Sequence, residues 1–371
     1  MLSNNSRKSK VESRKPNRSL LCHRIGLLSL CCMAAVLLCV GCSPTVQRAH
    51  QPRPGNKYAT GFQIDDTLGQ TRVRVFAPWK ADSVMATYYV TEPLQRIGAS
   101  SATHIGMLAE LGLMDRLVGM CNPEVCYHPL PPTCQHFGDA MQPDAERIIR
   151  HGAQAMLYST YSPSDQSAER MQSVGITVLY NNEWREATPL ARAEWIRFVA
   201  AFFDRQQQAD SIFAEVESAY NTLVNSQLST VNSQLSVVSG LDFRGTWYVP
   251  AGGTYMGALF RDAGADYAFA DDPRESSIPL TFEQALLTFA DADVWLGCNV
   301  PTREALIEMN SQHALFKAYR NGRLYNFRKR CLPSGANDFW ESGVVHPERI
   351  LQDIIATLNN DTTFYYINPV R

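Results

Sequence analysis

The sequence predicts an α/β fold: two Rossmann-like lobes with mostly parallel sheets, joined by one long rigid α-helix. Three observations predict it. Apolar runs of strand length alternate with short helical patterns along most of the chain, as layered α/β units require. One amphipathic segment of more than thirty residues stands mid-chain. A pair of short patterns before that segment also recurs after it, in the same order.

The N-terminus comes first. Arg7, Lys8, Lys10, Arg14, Lys15, Arg18 and Arg24 face Glu12 alone, and then IGLLSLCCMAAVLLCV (25–40) runs without a charge. That run is short of the roughly 20 residues a spanning helix prefers, so residues 1–41 are expected to be a signal peptide. It ends in LLCVGCSPT, which resembles the bacterial lipobox, with Cys42 as the lipidated residue and Cys39 where an aliphatic side chain is usual. An uncleaved N-terminal anchor is the alternative. Either way the body is expected outside the cytoplasm on a tether, residues 42–57. No acidic cluster that would suggest surface export follows Cys42, so the periplasm is favoured. The formal charge of −2 over 371 residues lacks the basic excess of a nucleic-acid binder.

Removing residues 1–41 leaves Cys42, Cys121, Cys126, Cys134, Cys298 and Cys331. Five thiols besides the lipidated one do not make a complete disulfide framework. Cys121, Cys126 and Cys134 share one loop with His128 and His136, but the spacing C-x4-C-x-H-x5-C-x-H fits no compact zinc module. Free thiols, a local disulfide and a metal site all stay open.

In the expected N-terminal lobe (58–187), YATGFQIDDTLGQTRVRVFAPW reads as a hairpin around Thr67, Leu68 and Gly69, with Val73, Val75 and Ala77 on one face. SATHIGMLAELGLMDRLVGM gives a helix ended near Gly112 and a strand at 117–120. ERIIRHGAQAMLYSTY gives a helix and a strand at 156–158, and QSVGITVLYNN a strand at 177–180. Across 188–224, Trp195, Phe198, Val199, Phe202, Ala209, Ile212, Phe213, Val216 and Tyr220 recur at three- and four-residue steps. This is the linking helix, about 50 Å at 1.5 Å per residue. The doubled VNSQLS of residues 225–240 is polar and of low complexity and is taken as a surface insert. Residues 241–371 form the second lobe.

The repeats tie the lobes together. Glu146 is followed at plus seven and plus nine by Ala153 and Ala155 and then a strand; Glu283 is followed by Ala290, Ala292 and the strand 294–296 in the same way. Upstream, Thr103 to Leu108 (THIGML) parallels Thr254 to Leu259 (TYMGAL), with Gly112 and Gly264 near the helix ends.

With ASSATHIGMLAELGLMDRLVGM, FGDAMQPDAERIIRHGAQAMLY, TFEQALLTFADADVWLG and NDFWESGVVHPERILQDIIATL, the chain resembles the binding proteins that serve ATP-binding-cassette importers for iron siderophores, haem and corrinoids. The resemblance covers nearly the whole mature chain. It implies a tethered protein that delivers a metal chelate to a membrane permease and its ATPase, with no resident cofactor. A ferric siderophore is favoured, and a corrinoid or haem is the alternative. It also implies that Glu146 and Glu283 dock on permease arginines. Rim charges of that kind set orientation and encounter rate. Helix capping is the competing role for both: Pro143 suits a first helical turn, and Thr281 with Gln284 suits a capping box.

The ligand is expected between the lobes. Helix starts at Ser100, Ser101, Thr103 and His104, and at Gly252, Gly253, Thr254 and Tyr255, would offer free N–H groups. Loops would add Tyr127 and His128 on one side and Arg328, Arg330, Phe339 and Trp340 on the other. Arginine suits carboxylate or catecholate oxygens, and the aromatic rings suit a broad chelate. His104, Tyr127, His128 and Tyr255 are the available axial ligands should the chelate be haem. The rival classes are a tethered secreted enzyme and a scaffold. Neither G-x-S-x-G nor HExxH nor a Walker loop occurs in the sequence.

Overall fold

The computed structural model describes residues 51–67, 69–80, 82–228 and 235–371; Cys42 and the whole leader lie outside the described residues. The expected hairpin forms as β1 (Phe62–Thr67) and β2 (Gln70–Phe76), and a third antiparallel strand, β3 (Val84–Val90), joins it. Val73 and Val75 point inward and are fully buried, and Phe62 packs edge-on against Trp195 and Phe198. From β3 the Tyr88 hydroxyl donates to Val178 O and accepts from Tyr180 N–H, which satisfies the open edge of the next sheet.

That next sheet has five parallel strands: β4 (Ile97–Ala99), β5 (Leu117–Met120), β6 (Gln135–His136), β9 (Ala155–Tyr158) and β10 (Thr177–Tyr180), in the order β10-β9-β4-β5-β6. Helices α1 (Ala102–Glu110), α2 (Ala145–Arg150) and α3 (Gln166–Ser173) alternate with the strands. A two-stranded ribbon, β7 (Gly138–Asp139) with β8 (Gln142–Pro143), precedes α2.

The linking segment departs from expectation. Instead of one helix over 188–224 there are two, α4 (Pro189–Ala201) and α5 (Gln206–Leu228), with Asp204 between them in the left-handed region at φ 54°. Arg197 Nε lies 2.7 Å from Asp210 Oδ1; thirteen residues along a straight helix would hold them about 20 Å apart. The chain therefore folds back. The cause lies in the side chains. Nearly every residue of α4 is buried, including Leu190, Trp195, Ile196, Phe198 and Val199, whereas α5 buries one stripe of Ala209, Phe213, Val216 and Tyr220. Phe202 and Phe203 are also both buried, on successive positions. A helix buried all round and a one-sided helix cannot share one axis over a single core surface, and Asp is among the few residues that tolerate the αL turn required.

The second lobe begins inside the expected insert: α5 runs to Leu228, and β11 (Val237–Ser239) already lies in a sheet, while residues 229–234 are outside the described residues. The sheet order is β11-β15-β16-β17, with β15 (Val294–Leu296) and β16 (Leu324–Asn326) parallel to β11 and β17 (Asn368–Pro369) antiparallel. A three-stranded antiparallel sheet, β12 (Asp242–Phe243), β13 (Thr246–Pro250) and β14 (Ser277–Leu280), lies in the same lobe. Trp247 and Trp295 stack at 5.3 Å at the centre of the lobe, with Phe316 against both. The helices are α6 (Tyr255–Asp262), α7 (Phe282–Phe289), α8 (Arg303–Met309), α9 (Lys317–Arg320) and α10 (Pro347–Asn359).

Candidate functional site

Ligands of parallel α/β sheets bind beyond the carboxyl ends of the strands, so the residues just past β10 matter first, together with those that face them from the loop after β13. After β10 the chain makes a 3-10 turn at Glu183–Arg185; after β13 it runs through Ala251, Gly252 and Gly253 into α6. A Cβ at Gly252 would lie 1.9 Å from Ala270 O, and one at Gly253 2.6 Å from Pro273 O, so only glycine lets this loop lie flat on residues 270–274. Between these ends is a cleft with a volume of about 220 Å³. Trp184, Arg185, Glu186 and Arg192 form one wall; Gly253, Thr254, Tyr255 and Met256 form the other; Trp340 also lines it.

The first wall is built on a buried ion pair. Arg192 Nε and Nη2 donate to Glu183 Oε2 at 3.1 and 2.9 Å, and the guanidinium lies 4.6 Å over the Tyr255 ring, a contact across the two walls. Tyr161 packs on Trp184 at 4.9 Å, and the Arg185 guanidinium lies over the same indole at 5.3 Å. The Glu186 carboxylate is fully engaged: it accepts from Thr60 N, Thr60 Oγ1, Gly61 N and Trp195 Nε1, and burial nevertheless pushes its pKa up. Beside it, Glu194 accepts the N–H groups of Lys57, Tyr58 and Ala59, so these two buried carboxylates pin residues 57–61 to α4 and the segment just before it.

A different set of contacts joins the lobes away from this cleft. The buried Glu341 carboxylate accepts Tyr127 N–H and His128 N–H at 2.7 and 2.8 Å; burial raises its pKa and the two donors pull it back. Gly106 of α1 lies so close to Glu341 that a Cβ would stand 2.4 Å from its carbonyl oxygen. His346 sits between Glu110 at the end of α1 and Glu348 in α10, with ring nitrogens 3.0 and 2.9 Å from the two carboxylates. The 2.9 Å contact is an aligned hydrogen bond, and the 3.0 Å contact is a close charge pair off the hydrogen-bond line. Burial opposes the imidazolium, but the carboxylates outweigh it and push the pKa up to about 9.

Of the residues expected at the ligand, the cleft is lined by Gly253, Thr254, Tyr255 and Trp340 and by none of Ser101, Thr103, His104, Tyr127 and Arg328. Ser101 is the N-cap of α1, accepting Thr103 N–H, and the Thr103 hydroxyl lies 3.0 Å from its Oγ. The proposed match of Thr103 with Thr254 is thus offset by two residues: Ser101, in extended conformation, is the cap that corresponds to Thr254. Gly112 and Gly264 do correspond, both following their helices at positive φ of 64° and 72°. His104 is fully buried against Ser159 Oγ, and burial lowers its pKa to about 4. Tyr127 stands under the Arg330 guanidinium at 5.1 Å, and Arg330 pairs with Asp338. Arg328 donates its N–H to Asn326 Oδ1.

Glu146 and Glu283 occupy the same position, the second residue of α2 and of α7, and both are exposed. Thr281 and Gln284 form the expected capping box, but the cap of α2 is Asp144, and Pro143 lies before it rather than in the first turn. Among the described residues neither glutamate enters an ion pair. Cys121, Cys126 and Cys134 are free thiols here; burial pushes Cys121 up to about 12 and Cys134 up to about 11. Among the described residues no three His, Cys, Asp or Glu side chains group as metal ligands.

Trp184, Arg185 and Arg192 were not among the residues read from sequence. NNEWREA follows the carboxyl end of a predicted parallel strand, a signal that was available. Arg192 carried none, because a cation on a helical repeat reads as a solvated face.

Residues 98–331 match the periplasmic binding protein family. An uncharacterized lipoprotein of Methanocaldococcus jannaschii is 25% identical over 227 residues, covering 60% of this chain and 52% of its own. The chain spans about half the length of the curated relatives it matches. A periplasmic haem-binding protein of Pseudomonas aeruginosa superposes with a TM-score of 0.58 at 15% identity, over 75% of this chain and 98% of its own. A possible iron-binding periplasmic solute-binding protein of Staphylococcus epidermidis gives 0.57 at 16% identity, over 72% and 99%. At these identities the structures establish the two-lobe α/β fold.

Proposed function

Because the chain belongs to the periplasmic binding protein family, we propose that it is a lipid-anchored capture protein, held by Cys42, that takes a ferric siderophore outside the cytoplasm and hands it to an ATP-binding-cassette permease. The observation that carries this reading is the cleft itself, which is lined by arginine and indole side chains from two segments of the chain, Trp184, Arg185 and Arg192 from one and Trp340 from the other. Cations with broad aromatic faces match a chelate that presents oxygen anions around a bulky body. Trp340 is 44% exposed and Tyr161 53% exposed; such surfaces also favour a flat macrocycle, which keeps a corrinoid or haem as the second reading. No chemistry on the ligand is part of either reading.

The cleft's 220 Å³ falls below the roughly 300–1,000 Å³ usual for small-molecule sites. Capture therefore requires the walls to part, and the Arg192–Tyr255 contact is the one that must break. Glu146 and Glu283 then serve as the permease-docking pair. Their shared position at the second residue of a helix and their freedom from ion pairs among the described residues support that role.

Intrinsic tryptophan fluorescence of the chain starting after Cys42, titrated with haem, cyanocobalamin and a panel of ferric siderophores, tests the reading. Saturable quenching by one chelate, weakened by Trp340→Ala, is expected. Silence across the panel would overturn it.

A further inference from the structure

We propose that the cleft contains a donor-lined subsite for one anionic oxygen group of the ligand, a carboxylate or phosphate, formed by Arg192, Trp184 and the first turn of α6. The inference rests on the capture reading and specifies what the captured molecule must carry.

Four donors support it. Arg192 is 8% exposed, yet only its Nε and Nη2 are used, both on Glu183 Oε2. Its Nη1 makes no hydrogen bond among the described residues and belongs to a side chain that lines the cleft. Trp184, also a lining residue, buries its Nε1 with no acceptor. In α6, Thr254 Oγ1 takes only Gly257 N–H at 3.1 Å, so the N–H groups of Tyr255 and Met256 have no side-chain cap. A buried donor left unpaired, as Trp184 Nε1 is, costs about 1–3 kcal/mol. Native interiors pair such groups, and one anion reaching into the cleft would accept from all of them.

The acids nearby are arranged to allow this. Glu183 is neutralised by Arg192, and Glu186 is consumed by Thr60, Gly61 and Trp195. Arg185, stacked on Trp184, adds a further cation.

The test is calorimetric titration of the chain starting after Cys42 with matched pairs: haem against haem dimethyl ester, and a ferric siderophore bearing a pendant, non-chelating carboxylate against its methyl ester. In at least one pair the free acid is expected to bind about tenfold more tightly or better, as loss of a charge-assisted hydrogen bond predicts. Trp184→Phe, which keeps the ring and removes the N–H, is expected to weaken the free acid several-fold and leave the ester unchanged. Arg192→Met is expected to abolish the remaining preference; if that variant does not fold, Trp184→Phe decides. Equal binding of acid and ester would overturn the subsite and leave the capture reading intact. No binding by either member of any pair, with quenching by another chelate of the fluorescence panel, would overturn the subsite alone; silence in both experiments would overturn the capture reading with it.

Discussion

The front and the back of the lobe interface use the same kinds of residue to opposite ends. At the back, Glu341 receives two backbone N–H groups and His346 is bracketed by two carboxylates. At the front, Trp184 Nε1 is buried without an acceptor and Arg192 keeps one nitrogen unused. His346 Nε2 and Glu348 Oε2 at the back also lack an aligned hydrogen bond, but the imidazolium there is held between opposite charges at 3.0 and 2.9 Å, whereas Trp184 Nε1 has no acceptor. On the proposed reading the back is the pivot and the front the mouth. The single straight linking helix expected from sequence would have placed the rigidity elsewhere, in a strut. With the segment folded back at Asp204, stiffness between the lobes rests on the back contacts, and opening at the front remains a small movement.

The sharpest way to break this contrast is to remove one charge from a buried pair. Arg192→Met leaves Glu183 buried and unpaired and is expected to cost about 3–5 kcal/mol, read as a lowered urea midpoint. Glu341→Ala strands Tyr127 and His128 N–H and is expected to cost about 2–4 kcal/mol; faster hydrogen exchange confined to residues 122–137 and 338–346 would separate loss of the pivot from general unfolding.

The third prediction uses pH. The folded pKa of His346, about 9, lies above its ordinary value of 6.5. Its contribution is therefore fully present below pH 6.5 and is lost as the pH rises through 9. Wild type is expected to lose about 3 kcal/mol across that window relative to His346→Asn. His104 acts in the opposite sense: its lowered value of about 4 means stability present above pH 6.5 that falls away as acid approaches pH 4. The smallest effect on stability belongs to Glu146→Arg with Glu283→Arg, within about 0.5 kcal/mol. The same double reversal is expected to abolish stimulation of the cognate permease's ATPase in proteoliposomes while chelate binding is unchanged.

The fold was legible wherever local pattern and tertiary role agree. The strands 117–120, 177–180 and 294–296 were read to the residue because short apolar runs in parallel sheets have few competing explanations. The linking segment was misread because hydrophobic period reports which residues are buried and not whether the axis bends; the turn at Asp204 costs a single αL residue and leaves the three- and four-residue steps intact on either side. The lining of the cleft was half legible. Gly253, Thr254, Tyr255 and Trp340, which line it, were named because glycine before a helix cap and an aromatic in a proline- and glycine-bounded loop are local signals. Ser101, Thr103 and His104 were named by analogy with that helix start, yet their polar atoms turn inward to one another and to Ser159. Arg192 could not be found from sequence, since only the packing of α4 shows that its charge is buried.

The most direct measurement is hydrogen–deuterium exchange of the chain starting after Cys42, alone and saturated with whichever chelate quenches its tryptophans. The account predicts new protection at residues 183–192, 250–257 and 340, with residues 122–128 and 341–348 unchanged. Protection confined to the back contacts, or to neither face of the interface, would contradict it.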